Sequence, residues 1–412
     1  MYPSTMPSPH RSRQPSPPRA TRFFVTAAKG LEPLVAEELR ALGAREVKEA
    51  RGGATFEGNP VDGYRACLWL RTANRVLLPV ARFPAADADS LYKGVNRMPW
   101  EQDLSPDGTL AVDFTGTSAG ITHTQFGAQK VKDAIVDRFR ERTGRRPSVD
   151  RARPDLQVNV HLHRELATVS IDLSGESLHM RGYRKESVAA PLKENLAAAL
   201  LLKCGWPKIA ERGGAFADPL CGSGTLVIEA AMMAGDVAPG LLRDHWGFSG
   251  WLKHDRGLWE ETLMQARERQ NVSRGKNISI LGFDQDAKAI LAAQQNARIA
   301  GIAPAVRFEH RALEQNSLPA TLPPGLLVTN PPYGERLGTV ETLGPLYKSL
   351  GDWLKSNCLH WHAGVITDSS ELSKQIGLRA GKINTFYNGA LECKLLQFQV
   401  EEERYTGGAL RA

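Results

Sequence analysis

The stretch that most narrows the possible folds is Asn330-Pro331-Pro332-Tyr333, reached through the apolar run Leu326-Leu327-Val328. A short run of this kind reads as a strand buried on both faces, as in a parallel sheet covered by helices. Two consecutive prolines cannot extend it, because each fixes φ and removes a backbone donor. The chain must leave the sheet as a rigid loop at a strand's carboxyl end, where open α/β sheets bind their ligands. The Asn330 side-chain oxygen and the Pro331 carbonyl suit the two hydrogens of a nucleobase exocyclic amine, whose lone pair is delocalised into the ring. Holding both hydrogens draws the nitrogen toward tetrahedral geometry and frees that pair for attack. Tyr333 then offers a face on which an extruded base stacks. Taken alone, the same loop also reads as a structural turn with a capping Asn.

A second stretch lies upstream. Phe216-Ala217-Asp218 reads as a strand, Pro219-Leu220-Cys221-Gly222-Ser223-Gly224 as a turning loop, and a helix opens at Thr225. In this geometry backbone N–H groups and a helix N-terminus face a bound cofactor. No Gly-Lys-Ser or Gly-Lys-Thr follows, which excludes a Walker loop, and the third glycine of a dinucleotide fingerprint is missing. The next strand-end acid is Asp284, in Gly282-Phe283-Asp284-Gln285-Asp286. It lies 66 residues beyond Asp218, so an insertion separates the first helix from the second strand. A carboxylate at that strand end can take both hydroxyls of a ribose. Read singly, Asp218 also fits a helix-capping acid and Asp284 a turn residue.

Together, Asp218 to Thr225, Gly282 to Asp286 and Asn330 to Tyr333 resemble, in order and spacing, the S-adenosylmethionine-dependent amino-methyltransferases. The resemblance implies cofactor binding by Asp218, Pro219, Gly222, Gly224, Thr225, Asp284 and Asn330. It implies catalysis at Asn330, Pro331, Pro332 and Tyr333, by direct in-line transfer with no metal. Those enzymes generally carry an Asp after the third strand for the cofactor's adenine amine. His310-Arg311-Ala312-Leu313 has none here, leaving backbone groups for that role.

The rest of the chain bounds the partners. Five scattered cysteines, at 67, 204, 221, 358 and 393, argue against a zinc site or a disulfide framework and for a reducing compartment. Cys221 reads as a small buried residue in a tight turn. No apolar run is long enough to span a bilayer, so a cytoplasmic protein with no membrane partner is expected. Of the net charge of +7, residues 1–190 hold 28 Lys plus Arg against 22 Asp plus Glu, so the basic surplus lies almost wholly outside the expected catalytic domain. That distribution suggests a separate element reaching for polyanion.

Residues 1–20, rich in Pro, Ser and Arg, read as a disordered tail. From 21 to 84 the order strand, helix, two strands, helix, strand is ferredoxin-like. A second small domain is expected from Pro84, over 85–185. It has a helix from Ala128 to Arg142, paired strands around Val158–Leu162 and Ala167–Ile171, and a basic patch of Arg138, Arg140, Arg142, Arg145, Arg146, Arg151 and Arg153. Such a patch reads either as a solvated face or as a phosphate-contacting one. Residues 186–403 then alternate strands and helices as a Rossmann-like seven-stranded sheet. Its first helix is expected near Pro191, and the tryptophans of the insertion, Trp246, Trp251 and Trp259, are read as packing.

Phe126 to Ile135, with Lys130 and Lys132, and Arg181-Gly182-Tyr183-Arg184 resemble the THUMP-containing RNA methyltransferases. The resemblance runs from about Arg22 onward. It implies a class I methyltransferase sheet preceded by a ferredoxin-like module and a THUMP domain that docks structured RNA. Lys130, Lys132, Arg145, Arg146, Arg151, Arg153, Arg181, Tyr183 and Arg184 would be the RNA contacts. Within that group the motifs look most like the RlmL-type enzymes, which methylate guanine N2 in large-subunit (23S) rRNA. The substrate would be that rRNA or an assembly intermediate of the large subunit. Some relatives carry a second methyltransferase half, and this chain is expected to lack it. The alternatives are a tRNA guanine-N2 methyltransferase, a DNA or protein-glutamine amino-methyltransferase, and a non-catalytic RNA-binding assembly factor.

Overall fold

The computed structural model describes residues 21–185, 192–273, 278–334 and 338–402. The expected tail, Pro191, and Glu335-Arg336-Leu337 lie outside the described residues. The first half of the chain contains β1 (Thr21–Ala27), α1 (Glu32–Ala41), β2 (Arg45–Ala50), β3 (Gly53–Gly58), α2 (Pro60–Trp69) and β4 (Ala73–Pro84). It continues with α3 (Ala88–Asn96), β5 (Thr109–Thr115), α4 (Thr124–Thr143), β6 (Ser148–Val149), β7 (Leu156–His163) and β8 (Leu166–Asp172). Asn59 and Asp87 start α2 and α3 with reciprocal capping boxes, satisfying backbone donors that would otherwise be unpaired.

These strands form one sheet, in the order β2-β3-β1-β4-β8-β7-β5-β6. The two small modules expected on either side of Pro84 therefore share one sheet across that boundary. One end of β4 pairs with β1, and the strand runs on along β8, from Leu77 opposite Asp172 to Pro84 opposite Leu166. The ladder shifts register between Pro79 and Ala81, where a proline has no N–H to give. A single core, including Phe23, Val76, Phe114, Phe139, Val158 and Ile171, runs beneath both modules.

The second half contains α5 (Glu194–Lys203), α6 (Trp206–Glu211), β9 (Phe216–Asp218), α7 (Thr225–Ala234), α8 (Arg256–Ser273), β10 (Ile280–Asp284), α9 (Ala287–Ile299) and β11 (Arg307–His310). Then come β12 (Leu326–Thr329), α10 (Val340–Asn357), β13 (His362–Thr367), α11 (Ser370–Gln375), β14 (Lys382–Asn388) and β15 (Leu391–Gln399). The strand order is β11-β10-β9-β12-β13-β15-β14. The first five are parallel, and β15 inserts antiparallel between β13 and β14. Strand order reverses between β9 and β12, and a crevice opens at the carboxyl ends on either side of such a switch point. α5 begins at Glu194, later than the proline-led start expected from the sequence.

The insertion after α7 packs on the other half of the molecule. Trp246 and Phe248 are buried in the core of the N-terminal sheet, with Trp251 and Trp259 against it. Burying Phe248 alone contributes on the order of 2 kcal/mol. Gly247 permits the approach, because a side-chain carbon there would sit 1.9 Å from the Asp172 carbonyl oxygen. Arg269 of α8 stacks 3.8 Å above the Trp69 ring of α2. The insertion thus straps the C-terminal half to the N-terminal half.

Candidate active site at the switch point

Asp218 ends β9, Asp284 ends β10, and Asn330 follows β12. Register pairs Gly282 with Asp218 and Leu327 with Ala217, so the three polar residues stand side by side at one end of the sheet. They line a cleft of about 940 Å³ together with Gly222, Thr225 and the Pro331-Pro332-Tyr333 loop.

The glycine loop is tied to the second strand. The Gly222 N–H donates to Asp284 Oδ2 at 2.8 Å, and the Asp286 N–H donates to Asp284 Oδ1 at 2.9 Å. Asp284 is thereby oriented at the cleft wall. Gly224 precedes α7 with φ +83°, and a side-chain carbon there would lie 2.9 Å from Ala293 Cβ and 3.0 Å from Phe308. Among the described residues no side chain caps the N-terminus of α7, where Thr225 and Leu226 line the cleft. Backbone N–H groups at such an end carry partial positive charge. Pro219 and Gly224 lie in the same loop, set back from the cleft surface, where they shape the turn. The Cys221 thiol is buried, and burial beside Asp218 pushes it well above its ordinary range, consistent with a packing role.

Asp218 is 1% exposed and accepts from the Leu220 N–H at 3.1 Å. Burial pushes its carboxyl up to about 7, with Asp284 adding to the rise and the Thr329 hydroxyl and Leu220 N–H opposing it. From about pH 4 to about 7 the folded protein keeps a proton that the unfolded chain has released. Stability from this group therefore declines as pH rises through that window and is level above it. Asp218→Asn is expected to remove the decline, stabilising the cofactor-free protein at pH 8 relative to wild type by up to about 4 kcal/mol. Urea denaturation at pH 5 and pH 8 checks this; an unchanged pH slope contradicts it.

The loop after β12 is held from outside the cleft. The Tyr347 hydroxyl donates to the Pro332 carbonyl at 3.3 Å and to Thr367 Oγ1 at 3.1 Å. The Asn388 amide donates to the Tyr333 hydroxyl at 3.3 Å. Asn330 Oδ1 is shut away from solvent and has no hydrogen-bond partner among the described residues. An unpaired buried acceptor is costly, about 1–3 kcal/mol, which marks it as a group awaiting a donor.

The Arg181-Gly182-Tyr183-Arg184 motif contradicts its expected role in binding RNA. Arg181 and Tyr183 are 1% and 0% exposed. Arg181 Nε pairs with Glu229 Oε1 of α7 at 3.3 Å, Arg181 Nη2 donates to the Arg71 carbonyl, and the Tyr183 hydroxyl donates to Glu229 Oε1 at 3.3 Å. Arg184 pairs with Glu194 at 3.1 Å and donates to the Thr225 hydroxyl at 2.9 Å. The motif is a polar clamp between the N-terminal half and the helix behind the glycine loop.

The remaining basic residues lie on the THUMP module. Lys130 sits over Phe126, Lys132 pairs with Asp133, Arg145 with Asp107, and Arg153 with Asp244. Arg138 is drawn out of the patch by a two-pronged bond to Glu101. Arg146 and Arg151 are exposed and carry no ion pair among the described residues.

Sequence reasoning missed Glu314, Asp368 and Asn388, all of which line the cleft. Glu314 follows the third strand just beyond the position where the missing acid was sought. Asp368 directly follows β13, and a carboxylate after an apolar run was the signal available for it.

Residues 181–397 match the RMKL-like methyltransferase domain, 22–77 the RlmL ferredoxin-like domain and 85–172 the THUMP domain. The ribosomal RNA large subunit methyltransferase K/L of Syntrophotalea carbinolica is 54% identical over 388 residues, covering 94% of this chain and 54% of that protein. Its counterpart in Pseudomonas aeruginosa is 49% identical over 394 residues, with the same two coverages. This chain spans about half the length of these relatives. Among solved structures, SMU.472, described as a methyltransferase and complexed with SAH, is 32% identical with a TM-score of 0.81, covering 93% of this chain and 99% of that one. A described N6-adenine-specific DNA methylase from Listeria monocytogenes is also 32% identical, at a TM-score of 0.79, covering 92% and 96%. With a domain match across more than half its length and a solved relative covered almost end to end, the chain belongs to the RMKL-like methyltransferase family.

Proposed function

We propose that the chain transfers a methyl group from S-adenosylmethionine to the exocyclic N2 amine of a guanosine in large-subunit rRNA. The observation that carries this reading is the buried, unpartnered Asn330 Oδ1 at the switch point, an acceptor built for an N–H donor. The cleft fits the cofactor. It offers strand-end carboxylates at Asp218 and Asp284, an uncapped helix terminus at Thr225, and the Glu314 carboxylate beyond β11.

When bound, the cofactor supplies an electrophilic methyl whose C–S electron pair returns to sulfur as the guanine N2 lone pair forms the new C–N bond. Asn330 Oδ1 and the Pro331 carbonyl accept the two N2 hydrogens and hold the lone pair out of conjugation, in line for attack. Tyr333, 8% exposed and fixed by Asn388, lines the cleft beside the base. The methylated ammonium is acidic and gives its proton to water, so none of the cleft side chains has to act as a strong base. Asp218 and the loop from Gly222 to Thr225 hold the cofactor, and Asp284 takes its ribose hydroxyls.

The relatives' description as ribosomal RNA large subunit methyltransferases, the THUMP match and the exposed basic residues support an RNA partner. Arg146→Ala combined with Arg151→Ala is expected to weaken RNA binding several-fold at 0.1 M salt and to flatten the salt dependence by about one unit of slope per residue. Filter binding across a salt series checks this, and an unchanged slope assigns those residues to a solvated face. The reading itself is tested with purified protein, labelled S-adenosylmethionine and unmodified 23S rRNA, tRNA or DNA. Label recovered as N2-methylguanosine from the 23S rRNA alone supports it; label in tRNA or in adenine overturns the substrate or the base.

A further inference from the structure

The Asn330 loop explains how an amine is activated but not which base is chosen. Its two acceptors suit the N2 amine of guanine, the N6 amine of adenine and the N4 amine of cytosine alike. Discrimination needs a group facing the atoms beside the amine.

Asp368 borders the same cleft from the neighbouring strand. β12 and β13 run parallel with Thr329 opposite Val365, so Asn330 and Asp368 leave neighbouring strands at the same end of the sheet. Such strands lie about 4.8 Å apart. Both residues line the cleft. A side-chain carbon on Gly334 would sit 3.5 Å from Asp368 Oδ2, so the carboxylate borders the catalytic loop directly after Tyr333. Among the described residues it makes no hydrogen bond and no ion pair, whereas Asp218 and Asp284 are both engaged by backbone N–H groups. A carboxylate left open in a ligand cleft awaits donors.

With both N2 hydrogens taken by Asn330 and Pro331, the donor left on the Watson–Crick edge of guanine is N1–H, which a carboxylate oxygen can accept. Adenine presents an acceptor at N1, which a carboxylate repels. We propose that Asp368 reads the target base, accepting the guanine N1–H and setting guanine over adenine. This deepens the reading above and rests on it.

The test uses the full chain and an RNA fragment bearing the nucleotide that wild type methylates, made with guanosine or with 2-aminopurine ribonucleoside at that position. 2-Aminopurine keeps the N2 amine but has an acceptor at N1. Wild type is expected to favour guanosine by about a hundredfold or more. In Asp368→Asn, whose amide can donate to N1, that preference should fall at least tenfold while cofactor affinity stays within about threefold. The preference is a ratio on one preparation, so it is independent of the fraction folded; Asp368→Ser, which loses the carboxylate without the amide, should also lower it. An unchanged preference in both variants overturns the assignment while leaving guanine-N2 chemistry standing. A wild-type reaction that yields no N2-methylguanosine in any RNA overturns the reading it rests on, and this assignment with it.

Discussion

Asn330→Ala is expected to lower methyl transfer by about a thousandfold or more while leaving S-adenosylmethionine affinity within about threefold. The reason is the position of its oxygen. Asn330 Oδ1 is buried and, among the described residues, makes no structural hydrogen bond. The loop's shape is held by Tyr347 on the Pro332 carbonyl and Asn388 on Tyr333, neither of which touches the Asn330 amide. Removing the amide therefore deletes an interaction made with the amine in the transition state, and such losses appear in turnover rather than in ground-state binding. Removing a preorganised polar group from a catalytic site commonly costs a hundred- to a thousandfold, and here the same group also sets the hybridisation of the nucleophile. Calorimetry for cofactor binding with single-turnover transfer separates the two quantities. Activity within tenfold of wild type would assign Asn330 to the turn.

Arg181→Ala is expected to destabilise the fold by about 3–5 kcal/mol, because it strands Glu229 in an apolar helix. Glu229 is 0% exposed, and Arg181 is its ion-pair partner. Arg181 also donates to the Leu178 and Arg71 carbonyls, so three elements lose contacts at once. Replacing both partners, as Arg181→Met with Glu229→Leu, should recover part of the loss, since the Arg181–Glu229 pair is removed together and buried Arg71 keeps Glu38 nearby. Denaturant midpoints of the single and double variants check this. Intact stability with RNA affinity lowered tenfold would restore the surface role that the motif's composition suggests.

The same motif shows where sequence reading stops. Arg181 and Arg184 lie in a basic segment, and a basic segment in a chain of this kind reads as a phosphate contact. What buries Arg181 is Glu229, 48 residues later, and its isolation in Thr-Leu-Val-Ile-Glu-Ala-Ala-Met-Met-Ala was the clue available. A charged residue alone in an apolar helix needs a partner, and that partner is found only through tertiary contact.

Strand ends were legible for a different reason. Asp218, Asp284 and Asn330 each follow a short apolar run, and a parallel sheet places all such ends on one side. Their convergence in one cleft follows from topology rather than from any pairwise signal. The long ladder between β4 and β8 was not legible, since nothing in Ala73–Pro84 specifies a partner some ninety residues away. Trp246 and Phe248 could be read as packing residues, but the face they cover lies in the other half of the molecule.

Nucleoside mass spectrometry of rRNA from cells with and without this gene tests guanine-N2 methylation most directly. One N2-methylguanosine in the large-subunit rRNA is expected to disappear on deletion, to return with the wild-type gene and not to return with Asn330→Ala. If that nucleoside persists and a tRNA or adenine methyl mark is lost in its place, the methyltransferase fold stands and the guanine-N2 rRNA function is wrong.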